Sequence, residues 1–317
     1  MPHDVATILQ RVAHLEILAR RLVDELVAGQ YRSVFRGRGL EFESVREYVP
    51  GDDIRDIDWN VTARSGEAFV KTFREERELT VLLLVDISAS GAFGSMPRTK
   101  LQTVMELAAL LMFSAIHNND RVGLVTFCDK VYGYYRPGRG RAHVLRLIRE
   151  LVALEPVAGA TSLEAPLEFA TRVLKRRSVA FLFSDFLAPP PRTTGTQGGT
   201  GDGQATTAPF GWPARRAMGV CNQHHDLIAV TVTDPREHEL PEVGILSLVD
   251  AETGQVVEVD TRHPAVRAQF REQAARRARE LSRYLQRLRI DELRIRTDEN
   301  CATSLRRFFE NRRRRLR

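Results

Sequence analysis

The sequence has only three cysteines, Cys128, Cys221 and Cys301, an odd number, widely spaced and without a CxxC pair. That count excludes a disulfide framework and a thiolate zinc site, and it leads to the expectation of a reducing, cytoplasmic setting. Long apolar runs are missing as well. The longest, Leu107–Ile116, falls far short of the roughly 18–20 residues that a membrane span requires, so no transmembrane segment is expected. Acidic residues (Asp4, Glu16, Asp24, Glu25) interrupt the first thirty positions, which is not the pattern of a secretory leader. Aromatic residues make up 7% and lie scattered, leaving no stacking platform for single-stranded nucleic acid. There is no GxxxxGK[ST] loop, hence no P-loop ATPase, and no GxSxG elbow or well-spaced Cys/His pair for covalent catalysis. Lysine is scarce too, with only four among the 47 basic residues.

What is present is a chain of 317 residues, 43% hydrophobic, long enough for one large domain or two ordinary ones. The formal net charge of +6 is local. Ala302–Arg317 carries seven Arg and one Glu, so the rest of the chain is neutral. Such a distribution weighs against a whole-surface nucleic-acid binder and leaves one basic patch, Arg312, Arg313, Arg314 and Arg315. These arginines end a helical pattern, where cations are favoured in any case, so a solvated helix end competes with an anionic partner as their explanation.

Hydrophobic spacing divides the chain. Residues 4–28 read as an amphipathic helix, giving a first segment over 1–30. A polar, Gly-, Arg- and Asp-rich segment follows over 31–78, with short strand-like pieces such as Ala68–Phe73. From 79 to 317 the pattern becomes an alternation of buried strands and helices. Leu79–Val85, Val122–Phe127, Val131–Tyr135, Val179–Ser184, Leu227–Val232 and Leu293–Arg296 read as strands, with Val131–Tyr135 at an edge. Helices are expected after Ser95 and Pro97, near 141–154 and 162–175, over 264–289 and over 302–315. This order predicts an α/β fold, a doubly wound and mostly parallel sheet, preceded by a small helical and irregular segment. Between Ala188 and Gly211, Gly, Pro and Thr fill 16 of 24 positions, which predicts a disordered insertion.

The strongest chemical signal is Asp86-Ile-Ser88-Ala-Ser90, directly after the first buried strand. Ligands of open α/β sheets collect at the carboxyl ends of strands. One carboxylate and two hydroxyls at alternate positions are hard oxygen donors, suited to Mg²⁺ or Mn²⁺ rather than zinc. Thr161, and Asp185 after a later strand, are further oxygen donors at matching ends. The alternative is a purely structural use, with Ser88 and Ser90 capping a helix and Asp86 closing a turn. Weaker signals are His224-His225-Asp226, whose adjacent side chains point apart, and Gly138-Arg-Gly140-Arg141, which reads as a turn or a phosphate cradle.

This five-residue pattern resembles the metal-ion-dependent adhesion site of the von Willebrand factor A domain, which uses DxSxS, a later Thr and an Asp after a further strand. The resemblance implies a Rossmann-like fold and a Mg²⁺ or Mn²⁺ ion held by Asp86, Ser88, Ser90, Thr161 and Asp185. It also implies that the hydroxyls bind directly, the carboxylates act mostly through water, and an acidic side chain from a partner protein completes the site. One departure is Phe186, which follows Asp185 where many members carry Gly.

Upstream, Gly37, Gly39, Glu41, Arg46, Tyr48, Gly51, Asp52, Asp53, Arg55, Asp58 and Trp59 form a compact run. Read by itself, it predicts an ion-pair network of Asp52, Asp53, Asp56 and Asp58 with Arg46 and Arg55 around a turn, anchored by Trp59. A calcium loop starting at Asp56 would put Val61 where the sharp turn calls for Gly. The run is similar to the signature of the bacterial family called domain of unknown function 58. Over about residue 30 to the end, that resemblance implies an interaction module working beside a MoxR-type AAA+ ATPase in a chaperone-like or assembly role. Other classes remain open: a metal-dependent hydrolase, for which Asp120, Asp129 and Glu164 are poor general bases, and an anionic-surface or nucleic-acid binder using the C-terminal arginines. No catalytic constellation is evident, so an enzyme is not expected.

Overall fold

The computed structural model describes residues 10, 12–17, 19, 41–74, 79–157, 159, 161–186, 214–249 and 256–315. The expected insertion at 188–211, Gly37, Gly39 and most of the expected first helix lie outside them, although residues 12–17 are helical. The chain divides into two compact units, Phe35–Leu79 and the remainder.

In the smaller unit, strand β1 (Glu41–Glu47) pairs antiparallel with β2 (Phe69–Arg74), and helix α1 (Trp59–Ser65) lies between them in sequence. Aspartates shape the connection. Asp52 binds Arg46 through two guanidinium nitrogens (2.7 and 2.6 Å) and accepts the Val49 N–H (3.0 Å). These bonds hold its carboxyl below the ordinary range. Asp53 accepts the Arg55 N–H (3.0 Å), and Asp58 caps α1 by accepting from Asn60 and Val61 (3.0 and 3.3 Å). At the other end, Gly66 closes α1 in the left-handed conformation (φ 80°). One expectation changes here, and one alternative already disfavoured by Val61 is closed. Trp59 is 66% exposed and anchors nothing in its own unit's core, because its place at the first turn of α1 turns it outward. The calcium loop is ruled out, since Asp58 spends its carboxylate on the helix cap and the residues after it are helical.

The larger unit contains β3 (Thr80–Asp86), α2 (Lys100–His117), β4 (Arg121–Phe127), β5 (Val131–Gly138), α3 (Gly140–Val152), α4 (Glu164–Val173) and β6 (Val179–Ser184). It continues with α5 (Ala214–His224), β7 (Asp226–Thr233), the hairpin β8 (Ile245–Val249) and β9 (Val256–Asp260), α6 (Pro264–Arg287), β10 (Asp291–Arg296) and α7 (Cys301–Arg315). Six strands form one sheet in the order β10-β7-β6-β3-β4-β5. All neighbours are parallel except the edge strand β5, which joins β4 by a tight antiparallel connection. This is the α/β fold the sequence predicts.

Both faces of the sheet are covered, which is why β3 and β6 read as continuous apolar runs. Leu82, Leu84, Phe127 and Leu182 meet Leu167, Met218 and Leu285 from α4, α5 and α6. Helix α2 is apolar on nearly every side and packs near α3 and α7. It begins later than Ser95 and Pro97 because Thr99 and Gln102 form a reciprocal cap one residue before Lys100. Among the described residues, no helix is long and apolar enough to cross a membrane.

One topological feature positions chemistry. From β3 the chain moves outward through β4 and β5, then returns to the other side of β3 and moves outward through β6, β7 and β10. The order therefore reverses between β3 and β6. Crevices form at the carboxyl ends of strands where this happens.

Candidate metal centre

Asp86 ends β3 and Asp185 follows directly after β6, so parallel pairing of these strands brings both carboxylates to the switch point. A small cavity there, about 20 Å³, is lined by Asp86, Ser88, Ser90, Lys100, Ser184 and Asp185 among others. It has room for about one water-sized guest.

The Asp86 carboxylate accepts the Ser88 N–H (2.9 Å) through one oxygen and the Ser184 hydroxyl (2.8 Å) through the other. Burial and the neighbouring charge of Asp185 push its pKa up to about 6. Such a carboxylate is short of positive charge. The hydroxyls of Ser88 and Ser90 lie 2.9 Å apart and bond to each other. Ser88 holds the N-cap position of the short 3₁₀ turn Ala89–Ala92, yet its hydroxyl caps no backbone N–H, and α2 takes its cap from Thr99. The capping alternative thus loses Ser88, while the Asp86 turn bond is present.

Asp185 is held differently. Its carboxylate accepts from the Lys100 ammonium (2.6 Å), which also donates to Glu237 (2.8 Å) in the loop after β7. The Lys100 and Asp185 side chains are only 4% and 7% exposed. Two carboxylates of the cavity, Asp86 and Asp185, thus stand close together in a largely buried place, with Glu237 outside the lining and joined to them through Lys100. Buried charge is normally paired or metal-bound. The donor set is all oxygen, so the residues present fit Mg²⁺ or Mn²⁺. Among the described residues, no three His, Cys, Asp or Glu side chains gather as a metal cluster. The further oxygen atoms at the cavity are the hydroxyls of Ser88, Ser90 and Ser184.

Four of the five expected donors therefore line one cavity. Thr161 does not line it. It lies in the loop between α3 and α4, tied to the same edge by bonds from Val157 N–H to Ile87 (2.7 Å) and Ser162 N–H to Cys128 (2.8 Å). Three residues of the cluster, Lys100, Ser184 and Glu237, carry no motif. Lys100 alone leaves a trace: a scarce lysine at the first position of a helix, where the dipole favours anions.

Phe186, the departure from the resembled pattern, takes a left-handed backbone (φ 54°) while its ring is buried in the core. Its N–H donates to the Ser184 hydroxyl (3.1 Å). A side chain in that conformation costs about 1–2 kcal/mol. Phe186→Ala is expected to lose about 3–5 kcal/mol by emptying the ring's place. Phe186→Gly should lose about 1 kcal/mol less, inverting the usual order of the two small residues, because Gly relieves the backbone. Urea unfolding of both variants measures this, and a less stable Gly variant would remove the strain argument.

Elsewhere, expected features prove structural. His224 and His225 sit at the amino end of β7, away from this edge, and His225 is buried, which lowers its pKa. Gly140 opens α3 at φ 82°, as a turn does. The basic patch is not a free run: Arg312 is 9% exposed and pairs with Asp226 and with Asp291 (3.3 Å), and Arg315 pairs with Asp291 (3.0 Å). Its position on the Leu305, Phe309, Arg312 face of α7 turns it inward.

Fold and site together define an α/β domain with an oxygen-donor site at the switch point of its sheet. Residues 44–280 match the family described as Protein of unknown function DUF58, and the chain belongs to that family. It is 30% identical over 302 residues to the uncharacterized protein Mb1516 of Mycobacterium bovis, covering 95% of this chain and 88% of that one. Among solved structures it is similar to the conserved hypothetical protein BatB from Bacteroides thetaiotaomicron, with a TM-score of 0.45 and 13% identity over 74% of this chain and 99% of the other. It is also similar to the SpRpn10 VWA domain, with a TM-score of 0.35 and 12% identity over 72% and 94% of the two chains. Both structural likenesses are distant.

Proposed function

We propose that this chain is a Mg²⁺-dependent protein-interaction module and not an enzyme. The observation that carries this reading is the cavity at the switch point, where the carboxylates of Asp86 and Asp185 stand beside the paired hydroxyls of Ser88 and Ser90. Ser88 and Ser90 would supply neutral oxygen donors, while Thr161, outside the cavity lining, would have to move in from the adjoining loop to do so. Asp86 and Asp185 supply the negative field, Ser184 fixes the rotamer of Asp86, and Lys100 fixes that of Asp185. The ion, when bound, supplies a positive charge that a carboxylate from a partner can reach. Phe93 and Met96 are exposed on the loop that follows Ser90, apolar surface of the kind a protein partner covers. By family resemblance the partner is a MoxR-type AAA+ ATPase, and the setting cytoplasmic.

Affinity capture from native lysate, in Mg²⁺ and in EDTA, tests the reading. Retention of an AAA+ ATPase only with Mg²⁺ and intact Asp86 is expected. Equal capture by Asp86→Ala, or in EDTA, would make the site structural. Phosphatase and phosphodiesterase assays with Mn²⁺ should show no turnover sensitive to Asp86→Ala.

A further inference from the structure

The ammonium of Lys100 would be costly where it stands without its partners. It is buried, it occupies the first position of an 18-residue helix whose dipole repels cations there, and it is one of four lysines in a chain that otherwise uses arginine. Its contacts show what holds it: Asp185 at 2.6 Å and Glu237 at 2.8 Å, two carboxylates from different strand ends. Lys100 also lines the cavity with Asp86, Ser88 and Ser90. A packing role at this position would be served by an apolar residue, since Leu101, Val104 and Met105 beside it are apolar and buried.

We propose that Lys100 is the residue that sets the charge of the metal centre, a built-in cation that weakens metal binding and thereby keeps the site receptive to an anionic ligand. The reasoning is electrostatic and rests on the metal reading above. With Lys100 in place, the centre loaded with a divalent ion is one unit of charge more positive than it would be without it, and an approaching carboxylate is favoured to that extent. Without Lys100, the ion is held by a more negative cluster and binds more tightly, but the loaded centre attracts a carboxylate less. Glu237 acts from a distance in the opposite sense. It lies outside the cavity lining, so its charge reaches the centre through Lys100.

Two neutral substitutions therefore move metal affinity in opposite directions. In Mn²⁺ titrations of the full chain followed by electron paramagnetic resonance, Lys100→Met should tighten binding about tenfold or more, the scale expected when a buried like charge is removed beside a divalent ion. Glu237→Gln should weaken binding by a similar factor, and Lys100→Arg, which keeps the charge, should stay within about threefold of the parent. Weaker or unchanged Mn²⁺ binding by Lys100→Met overturns the proposal and leaves Lys100 as scaffold. If that variant does not fold, Glu237→Gln decides by itself, with unchanged affinity counting against. Failure of the parent chain to bind Mn²⁺ at all overturns the metal reading and this inference with it, so the two failures are distinguishable.

Discussion

Asp86→Asn is expected to stabilise the metal-free protein while abolishing its response to Mg²⁺. In the parent, burial and the charge of Asp185 raise the Asp86 carboxyl to about 6. A folded-state value above the ordinary one means that ionisation is disfavoured by folding. The metal-free protein therefore loses stability as pH climbs from about 4 through about 6, and stays at the lower level at neutral pH. Asparagine carries no charge, keeps an acceptor for the Ser88 N–H, and lets the Ser184 hydroxyl turn to accept instead. The expected gain near pH 7.5 is about 1–3 kcal/mol, and the slope between pH 4 and 6 flattens. Mg²⁺ at a hundred times its dissociation constant should stabilise the parent by about 2.7 kcal/mol and the variant by nothing measurable. Thermal and urea unfolding, with Mg²⁺ and with EDTA, measure all of these. A destabilised variant would instead show that Asp86 serves as a structural turn residue, and a Mg²⁺ response that survives would move the metal elsewhere.

The second large effect is at the opposite end of the sheet. Arg312 bridges Asp226 at the start of β7 and Asp291 at the start of β10, pinning α7 across neighbouring strands. Replacing it with Ala removes the cation that joins Asp226 to Asp291 and leaves Asp291 with the exposed Arg315, an expected loss of about 2–4 kcal/mol once their partial exposure is allowed for. Arg312→Lys should recover only part, because a single ammonium cannot reproduce the guanidinium's several donors. Arg313→Ala and Arg314→Ala should lie within about 0.5 kcal/mol of the parent. Urea denaturation separates these outcomes, and an unaffected Arg312→Ala would return all four arginines to the solvent. For function, removal of residues 312–317 would confuse unfolding with lost binding. Any salt-dependent interaction of this end belongs in a test with Arg313 and Arg314 alone.

Much of the fold is legible because parallel strands buried on both faces cannot hide. Thr80–Asp86, Arg121–Phe127 and Val179–Ser184 are near-continuous apolar runs, and each expected strand lies within a few residues of its observed span. Helix α5 and the hairpin of β8 and β9 carried no such signal. The former sets its few buried residues, such as Met218 and Cys221, among Arg, Asn and Gln, and the latter exposes Ile245, Val249, Val256 and Val257, so neither shows a buried face in one dimension. Trp59 misleads for a related reason: composition marks it as core, and its place at a capped helix start leaves it outside.

The candidate centre divides along the same line. Asp86, Ser88 and Ser90 could be singled out because one local motif at a strand end places them, and Asp185 because it ends another strand. Sequence alone thus determines the strand-helix alternation, the oxygen-donor chemistry and the family. Only the tertiary structure decides that β3 and β6 are neighbours, that Ser184 grips Asp86, and that Lys100 meets Asp185 and Glu237. Those meetings join residues 85 to 137 positions apart. The net charge of a buried site is a sum over everything that folding brings together, and no local pattern in the chain contains that sum.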